Sequence, residues 1–433
     1  MQVKIEKFVF GGQGLGRLDG PVKAQGAHGA SRVVFIWGGL PGEEVEFDVI
    51  KKKKNFIEGV ATKILTPSLD RIEALDEHYL SCSPWQTLDY KKENEWKRII
   101  AEETYRRIGN LESGISNLEI VAPEKPYGYR NKIEYNFTNN TAGELSLAFH
   151  HRGTHRLRPV EKCVLADQRI QAASVELIEL LRGEKVTLSD VKSLIVRSDQ
   201  KGSSAALFVN RMDFLRRFTL EKPAGLNGLQ IYYSNPLSPA SVPTELLLNI
   251  GETKLEAELN GVKLKFGLLS FFQINPAIFE KALGDIGGQL NGERVVDYYS
   301  GVGGIGLPLQ GKYSEAVLIE ENAEAIDFAV ENIALNGFTN VKVQNLKAEE
   351  AQPIIGGDDT VILDPPRTGL HKDVTAHLLK TLPKKIIYLS CGLDTHARDI
   401  SFLSSKYRPV FWKLYNFFPR TPHIEGLCVL ERL

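Results

Sequence analysis

The sequence predicts an α/β protein in which a parallel sheet with helices on both faces fills the C-terminal part, a small β-barrel opens the chain, and an α+β segment lies between them. Three observations carry this. From about Leu268 onward, strand-like and helix-like pieces alternate regularly, the signature of an open parallel sheet. A strand over residues 294–299 runs into the turn Ser300-Gly301-Val302-Gly303-Gly304-Ile305-Gly306 and on into a helix, and the next strand, 316–320, ends in the carboxylate of Glu320 at the offset a nucleotide-binding unit uses. An apolar run over 386–389 stops abruptly at Ser390-Cys391-Gly392, so a buried strand delivers one thiol to the carboxyl edge of the sheet, where such folds keep their chemistry.

The barrel is read from short alternating strands with Gly-rich turns over residues 1–66, of which the alternation Val45-Glu46-Phe47-Asp48-Val49 leads into the basic run Lys51-Lys52-Lys53-Lys54. This spacing suits a five-stranded barrel of the oligonucleotide-binding kind. A charged helix follows over 90–108, with Trp96, Ile99, Ile100 and Tyr105 expected on its packed face. The segment 110–267 mixes strands near 129–137, 145–150, Leu194 and Ala205 with a helix from about Asp167, and is read as an α+β insert. Arg130, Asn131 and Lys132, beside aromatic residues, are of the types that hold single-stranded RNA. The expected division is therefore 1–66, 67–267 and 268–433, with the helix of 86–110 packing on the last part.

The totals narrow the function. A net charge of −1 excludes a uniformly basic polyanion binder, yet the lysine run and the segment 125–169, with eight Lys/Arg against four Asp/Glu, point to a polyanion partner. Four scattered cysteines, no bilayer-length apolar run and no apolar signal segment at Met1 lead to the expectation of a reducing cytoplasm and no membrane partner.

Gly301-x-Gly303-x-x-Gly306 followed by Glu320 suits either a nicotinamide or an S-adenosylmethionine site, because both need close backbone approach and a carboxylate for the ribose hydroxyls. Asp364-Pro365-Pro366-Arg367 at one strand end and Ser390-Cys391-Gly392 at the next have no use in hydride transfer, whereas a base-modifying methyltransferase needs polar groups there.

The segments LSFFQINPAIFE, VVDYYSGVGGIGLPL, LIEENAEAIDFAVENIALNGFTNV, VILDPPRTGL, YLSCGLDTHARDI and FFPRTPHIEGLCVLERL resemble, in order, the S-adenosylmethionine-dependent RNA uracil-C5 methyltransferases. With YRNKIEYNF in the middle and a TRAM-like start, GGLPGEEVEFDVIKKKKNFIEGVATKIL, the likeness spans nearly the whole chain and is greatest to the TRAM-bearing, mainly ribosomal branch. The resemblance implies a class I, Rossmann-like methyltransferase sheet, an OB-like TRAM barrel and a monomer acting on RNA, ribosomal in the first instance and transfer RNA as the alternative. It implies that Gln273, Tyr299, Gly304, Glu320 and Asp364 hold S-adenosylmethionine, that Cys391 is the nucleophile, with Arg367 and Arg398 favouring its thiolate, and that Glu425 is the base, sharing a strand face with Thr421 and His423. A non-catalytic RNA-binding protein on the same fold is the competing reading, opposed by the presence of both Cys391 and Glu425.

Many members of that family hold an iron–sulfur cluster on four cysteines. Here Asp76, Cys82 and Trp85 stand at the first three positions and Cys163 at the fourth, two thiols short, so neither a cluster nor any other metal is expected. The family's usual Ser-Cys-Asn-Pro is Ser390-Cys391-Gly392-Leu393, and Lys347 stands where an acidic or amide residue often faces adenine.

Overall fold

The computed structural model describes residues 1–18, 32–111, 114–154 and 156–433. Strands Gln2–Phe8, Gly14–Leu18, Arg32–Trp37, Glu44–Lys52 and Phe56–Thr66 close into a barrel, in which Phe56–Thr66 lies between Arg32–Trp37 and Glu44–Lys52. The period-two alternation points Val3, Ile5, Val34, Ile36, Val45, Phe47 and Ile57 into one small core. The lysine run leaves the barrel surface at the end of Glu44–Lys52, exposed throughout.

A second sheet of seven strands has Lys132–Asn139 and Val191–Ser198 at its middle. Helix Gln168–Gly183, capped by the Asp167 side chain on Arg169 N, covers it through Ile170, Ala173, Leu177, Ile178 and Leu181. The sheet's other face contributes Ile195, Ala206 and Phe208 to the core that also holds the hairpin Leu255–Leu259/Val262–Phe266, the helix Pro276–Gly287 and part of the third sheet.

That third sheet carries the site. Its strands lie in the order Val341–Asn345, Ala316–Glu320, Val295–Tyr298, Thr360–Leu363, Lys385–Ser390, Glu425–Arg432, Tyr407–Tyr415 and Ile120–Val121. The first five are mutually parallel, and Glu425–Arg432 runs antiparallel between its two neighbours. The order reverses between Val295–Tyr298 and Thr360–Leu363, which opens a crevice at their carboxyl ends. Among the described residues, no helix is long and apolar enough to cross a membrane.

Two local expectations are corrected. The Gly-rich turn does not lead into an α-helix; it continues as turns and a short 3-10 piece, Leu307–Leu309, containing Pro308 and soon followed by Gly311 at φ 86°. The helix Tyr90–Gly109 buries Ile100 and Tyr105 and partly buries Trp96 as expected, but it leaves Ile99 41 % exposed and buries Glu93, Lys97, Ala101 and Thr104 as well. Its face is set by partners distant in sequence. Glu93 and Lys97 meet at 2.9 Å with both side chains fully buried, and Glu93 also takes Arg420 Nη1 at 3.1 Å.

Removing one member of a buried, hydrogen-bonded charge cluster leaves the others uncompensated. Glu93→Ala is expected to lower the unfolding free energy by about 3–5 kcal/mol in a urea titration. Glu95→Ala, which removes an exposed pair with Lys92 on the same helix, is expected to leave the midpoint where it was.

Candidate active site

The carboxyl ends of the parallel strands deliver the candidate residues. Tyr299 follows Val295–Tyr298, Glu320 ends Ala316–Glu320, Asp364 follows Thr360–Leu363, and Cys391 follows Lys385–Ser390. Ser390 pairs with Gly426 in the antiparallel ladder, so Cys391 and Glu425 stand one step further along two adjacent strands. Gln273, Tyr299, Glu320, Asp364, Cys391 and Glu425 line one cleft of about 510 Å³, and Gly304 lines a pocket that shares Gln273, Tyr299 and Asp364 with it. All seven predicted positions are thus brought together.

The cofactor end has its own architecture. Glu320 accepts the backbone N–H groups of Gly301 at 2.9 Å, Glu321 at 3.0 Å and Asn322 at 2.9 Å, tying the first turn to the end of the second strand while its carboxylate still faces the cleft. Gly306 N donates to Asp297 at 2.9 Å, so a strand-end aspartate that sequence reading passed over shapes the turn. A Cβ added at Gly301 or Gly304 would meet no protein atom within 4 Å and would project into the cleft region they line. That bare backbone cradle, the Glu320 carboxylate and the paired Gln273 and Asp364, 3.5 Å apart, fit an adenosyl group with an amino-acid tail.

The central sheet positions Gln273. Asn131 Nδ2 donates to Gln273 O at 3.0 Å, and the fully buried Arg197 caps the carbonyls of Gly267, Ser270 and Phe272 just upstream at 3.1, 2.6 and 3.3 Å. Asn131 is therefore a tether to the segment that carries Gln273, and the Arg130 guanidinium lies by the Tyr129 ring, 6.0 Å from its centroid. No local pattern marks the roles of Asn131 and Arg197, because each depends on partners 70 or more positions away along the chain.

Around the thiol the electrostatics oppose ionisation. Burial pushes Cys391 up to about 11, the nearby Glu425 and Asp364 add to the rise, and Arg367 pulls the other way. Glu425 is pushed well up by burial first and by Asp364 second, and Asp364 is raised by burial. The expectation that Arg367 and Arg398 favour the thiolate is overturned in net effect: Arg398 is engaged by Asp399 at 2.7 Å, and Arg367 alone is outweighed. Thr421 and His423 do not share a strand face with Glu425. They lie in the bend before the strand, where Arg420 has φ 64°, and the His423 imidazole is held neutral, down to about 3, by burial and then by Arg367 and other cations. Lys347 is exposed ahead of the turn Ala348–Glu350 and lines no part of the cleft.

Gly392 has a steric reason. A Cβ there would stand 2.7 Å from Thr395 Oγ1 and 2.8 Å from Arg367 O, so the loop after the thiol packs directly on the backbone of the Asp364-Pro365-Pro366-Arg367 turn. Phe418, from the bend before Glu425, and the 73 % exposed Phe271 complete the cleft with ring surface.

Residues 252–433 match the family model described as tRNA (Uracil-5-)-methyltransferase, and residues 1–62 match the TRAM domain. An uncharacterized RNA methyltransferase of Fusobacterium nucleatum is 27 % identical over 461 residues, covering 100 % of this chain and 96 % of its own length. Another from Listeria monocytogenes serotype 4b is 29 % identical over 465 residues, covering 100 % and 97 %. Among solved structures, the Pyrococcus abyssi tRNA (uracil-54, C5)-methyltransferase in complex with S-adenosyl-L-homocysteine superposes with a TM-score of 0.77 at 22 % identity, over 99 % of this chain and 100 % of that one.

A thiol titrating near 11 reacts slowly at neutral pH. In the ligand-free protein, alkylation of Cys391 followed by peptide mass analysis is expected to speed up about tenfold per pH unit between pH 7 and 10. Arg367→Ala is expected to slow it further at each pH, and a flat profile would show a thiolate already formed.

Proposed function

The chain belongs to the TRAM-bearing, S-adenosylmethionine-dependent RNA (uracil-5-)-methyltransferases, and from that premise we propose that it methylates carbon 5 of a uridine in 23S rRNA through a covalent adduct on Cys391. The observation that carries the mechanism is the continuation of the Ser390–Gly426 pairing, which sets Cys391 and Glu425 side by side at one cleft beside Asp364. When bound, S-adenosylmethionine supplies an electrophilic methyl group and a positive sulfonium charge, which offsets the carboxylates around the thiol. Gln273, Tyr299, Gly304, Glu320 and Asp364 are the residues that would hold it.

Carbon 5 of uracil is a weak nucleophile. Cys391 gives up its thiol proton to solvent and its thiolate sulfur adds to carbon 6; the electron pair displaced from the 5,6 double bond makes carbon 5 an enolate carbon, which would take the methyl group as the methyl–sulfonium bond breaks and its pair stays on the departing S-adenosylhomocysteine sulfur. Glu425 then accepts the proton left on carbon 5; the double bond re-forms as the carbon–sulfur bond breaks, and sulfur leaves with its electron pair. Glu425 can accept a proton because burial and Asp364 make its carboxylate a stronger base than an exposed one. The uracil must leave any stack to reach this cleft, and the rings of Phe271 and Phe418 offer surfaces for it. The proposal extends to a monomer acting in the cytoplasm, as the family resemblance implies.

The ribosomal assignment rests on resemblance to the TRAM-bearing branch. Transfer RNA is the second reading, favoured by the substrate printed in the names of the matching family and of the Pyrococcus abyssi structure. Mass mapping of 5-methyluridine in a strain lacking the protein separates them: loss from 23S rRNA alone is expected, and loss from transfer RNA alone assigns the other substrate.

Cys391→Ala is expected to abolish both methylation and covalent attachment. Glu425→Gln is expected to accumulate an RNA–protein adduct that survives denaturing electrophoresis, requires S-adenosylmethionine and vanishes when Cys391→Ala is added. Wild-type turnover by Cys391→Ala would remove the nucleophile assignment.

Lys51 to Lys54 leave the barrel as an exposed row. Replacing all four by Gln is expected to reduce the slope of log affinity against log salt by about 0.7 for each lysine that neutralises a phosphate of a single strand. An unchanged slope would make the row a solvated edge only.

A further inference from the structure

A second group of ligand-type side chains lies outside this cleft. Asp76, His78, Cys82 and Cys163 each bring one donor atom within 4.8 Å of all the others. The first three come from the segment after the barrel, and Cys163 comes from the loop ahead of helix Gln168–Gly183. These residues do not fit a four-thiolate iron–sulfur cluster. Trp85 turns away, its indole N–H donating to Gly12 O at 3.0 Å and its ring 4.8 Å from that of Phe8. His78 takes its place in the group, a residue that matching the four cysteine positions does not bring into view.

The imidazole of His78 is 93 % buried, and its Nε2 has no hydrogen-bond partner, standing 3.7 Å from Asp76 Oδ2. A buried polar atom left unpaired costs about 1–3 kcal/mol, so this nitrogen calls for a partner that the protein itself does not supply. The surroundings are arranged as an outer shell. Gln86 Nε2 donates to Asp76 Oδ2 at 3.0 Å and to Ser83 Oγ at 2.6 Å, Ser83 Oγ lies 3.1 Å from Cys82 Sγ, and Val164 N donates to Asp76 Oδ2 at 3.2 Å. Arg130 and Arg152 both feel the Cys82 thiol.

We propose that Asp76, His78, Cys82 and Cys163 form a tetrahedral site for one divalent zinc-type cation, a structural staple between the segment following the barrel and the central sheet. This departs from the sequence expectation of no metal. Two thiolates, one imidazole and one carboxylate are the donor types zinc takes, with bonds of about 2.0–2.3 Å, which set donors about 3.3–3.8 Å apart. The His78–Asp76 separation already meets that spacing, and the widest one closes by about 1 Å on binding. Binding releases the two thiol protons to solvent and leaves one net negative charge, which Arg130 and Arg152 offset.

The test uses the full-length protein, stripped of metal by a chelator, kept reduced and titrated with Co²⁺ and then Zn²⁺. One Co²⁺ per chain with a thiolate-to-cobalt charge-transfer band, displaced by Zn²⁺, is expected. His78→Gln and Cys163→Ser are each expected to weaken Co²⁺ binding by more than the about 10–100-fold expected for the outer-shell variant Gln86→Ala, whereas Cys391→Ser leaves the band unchanged. The wild-type spectrum decides the matter even if a variant does not fold. Absence of the band from the reduced protein, a band indifferent to His78→Gln, or iron with acid-labile sulfide in the protein as isolated would each overturn the proposal.

Discussion

The buried carboxylate of Glu93 is the point on which the catalytic wall depends. It accepts Arg420 N at 2.9 Å, Arg420 Nη1 at 3.1 Å and Asn416 Nδ2 at 3.2 Å, with Lys97 Nζ at 2.9 Å. Arg420 spends its remaining reach on the carbonyls of Gln86 and Leu88, and Trp85 N returns a bond to Arg420 O at 3.1 Å. A charge cluster of this depth is tolerable only when its lone pairs and protons are matched, and even so burial draws Lys97 down to about 8. The result is that a helix, the segment after the barrel and the bend of residues 416–424 are held as one body. Lys97 Nζ also binds Phe418 O at 3.1 Å, and Tyr129 Oη donates to Pro419 O at 3.1 Å, so the ring of Phe418 and the Glu425 carboxyl that follows it inherit their position from charges far from the cleft.

How far the sequence was legible follows from the range of the interactions. The barrel, the parallel sheet and the strand-end positions Glu320, Asp364 and Cys391 were readable because alternation, a glycine-rich turn and polar residues at strand ends are local patterns with a direct physical cause, whereas Gln273, Tyr299, Gly304 and Glu425 were indicated by the family resemblance. Asn131 on Gln273, Arg197 on the carbonyls of 267–272 and His78 between Asp76 and the two thiols were not. Each side chain is ordinary in its own neighbourhood and acquires its role only when a remote segment is folded against it. The helix Tyr90–Gly109 misled for the same reason, since Glu93 and Lys97 look solvated until Arg420 and Asn416 are placed beside them.

The thiol illustrates a different limit. An arginine close by in sequence suggests a low thiol pKa, but the sign is decided by competition between burial, two carboxylates and one guanidinium. In the ligand-free cleft burial therefore raises the thiol and both carboxyl groups together. A thiol held protonated in this way reacts slowly with adventitious electrophiles.

The antiparallel strand Glu425–Arg432 lies between Lys385–Ser390 and Tyr407–Tyr415, both of which precede it in the chain. A growing polypeptide that has not reached residue 425 therefore exposes the backbone groups of Lys385–Ser390 along one whole side, a templating edge for any stray strand. The same insertion that places Glu425 beside Cys391 also seals that edge. During synthesis, covering that edge and bringing Glu425 beside Cys391 are therefore one and the same event.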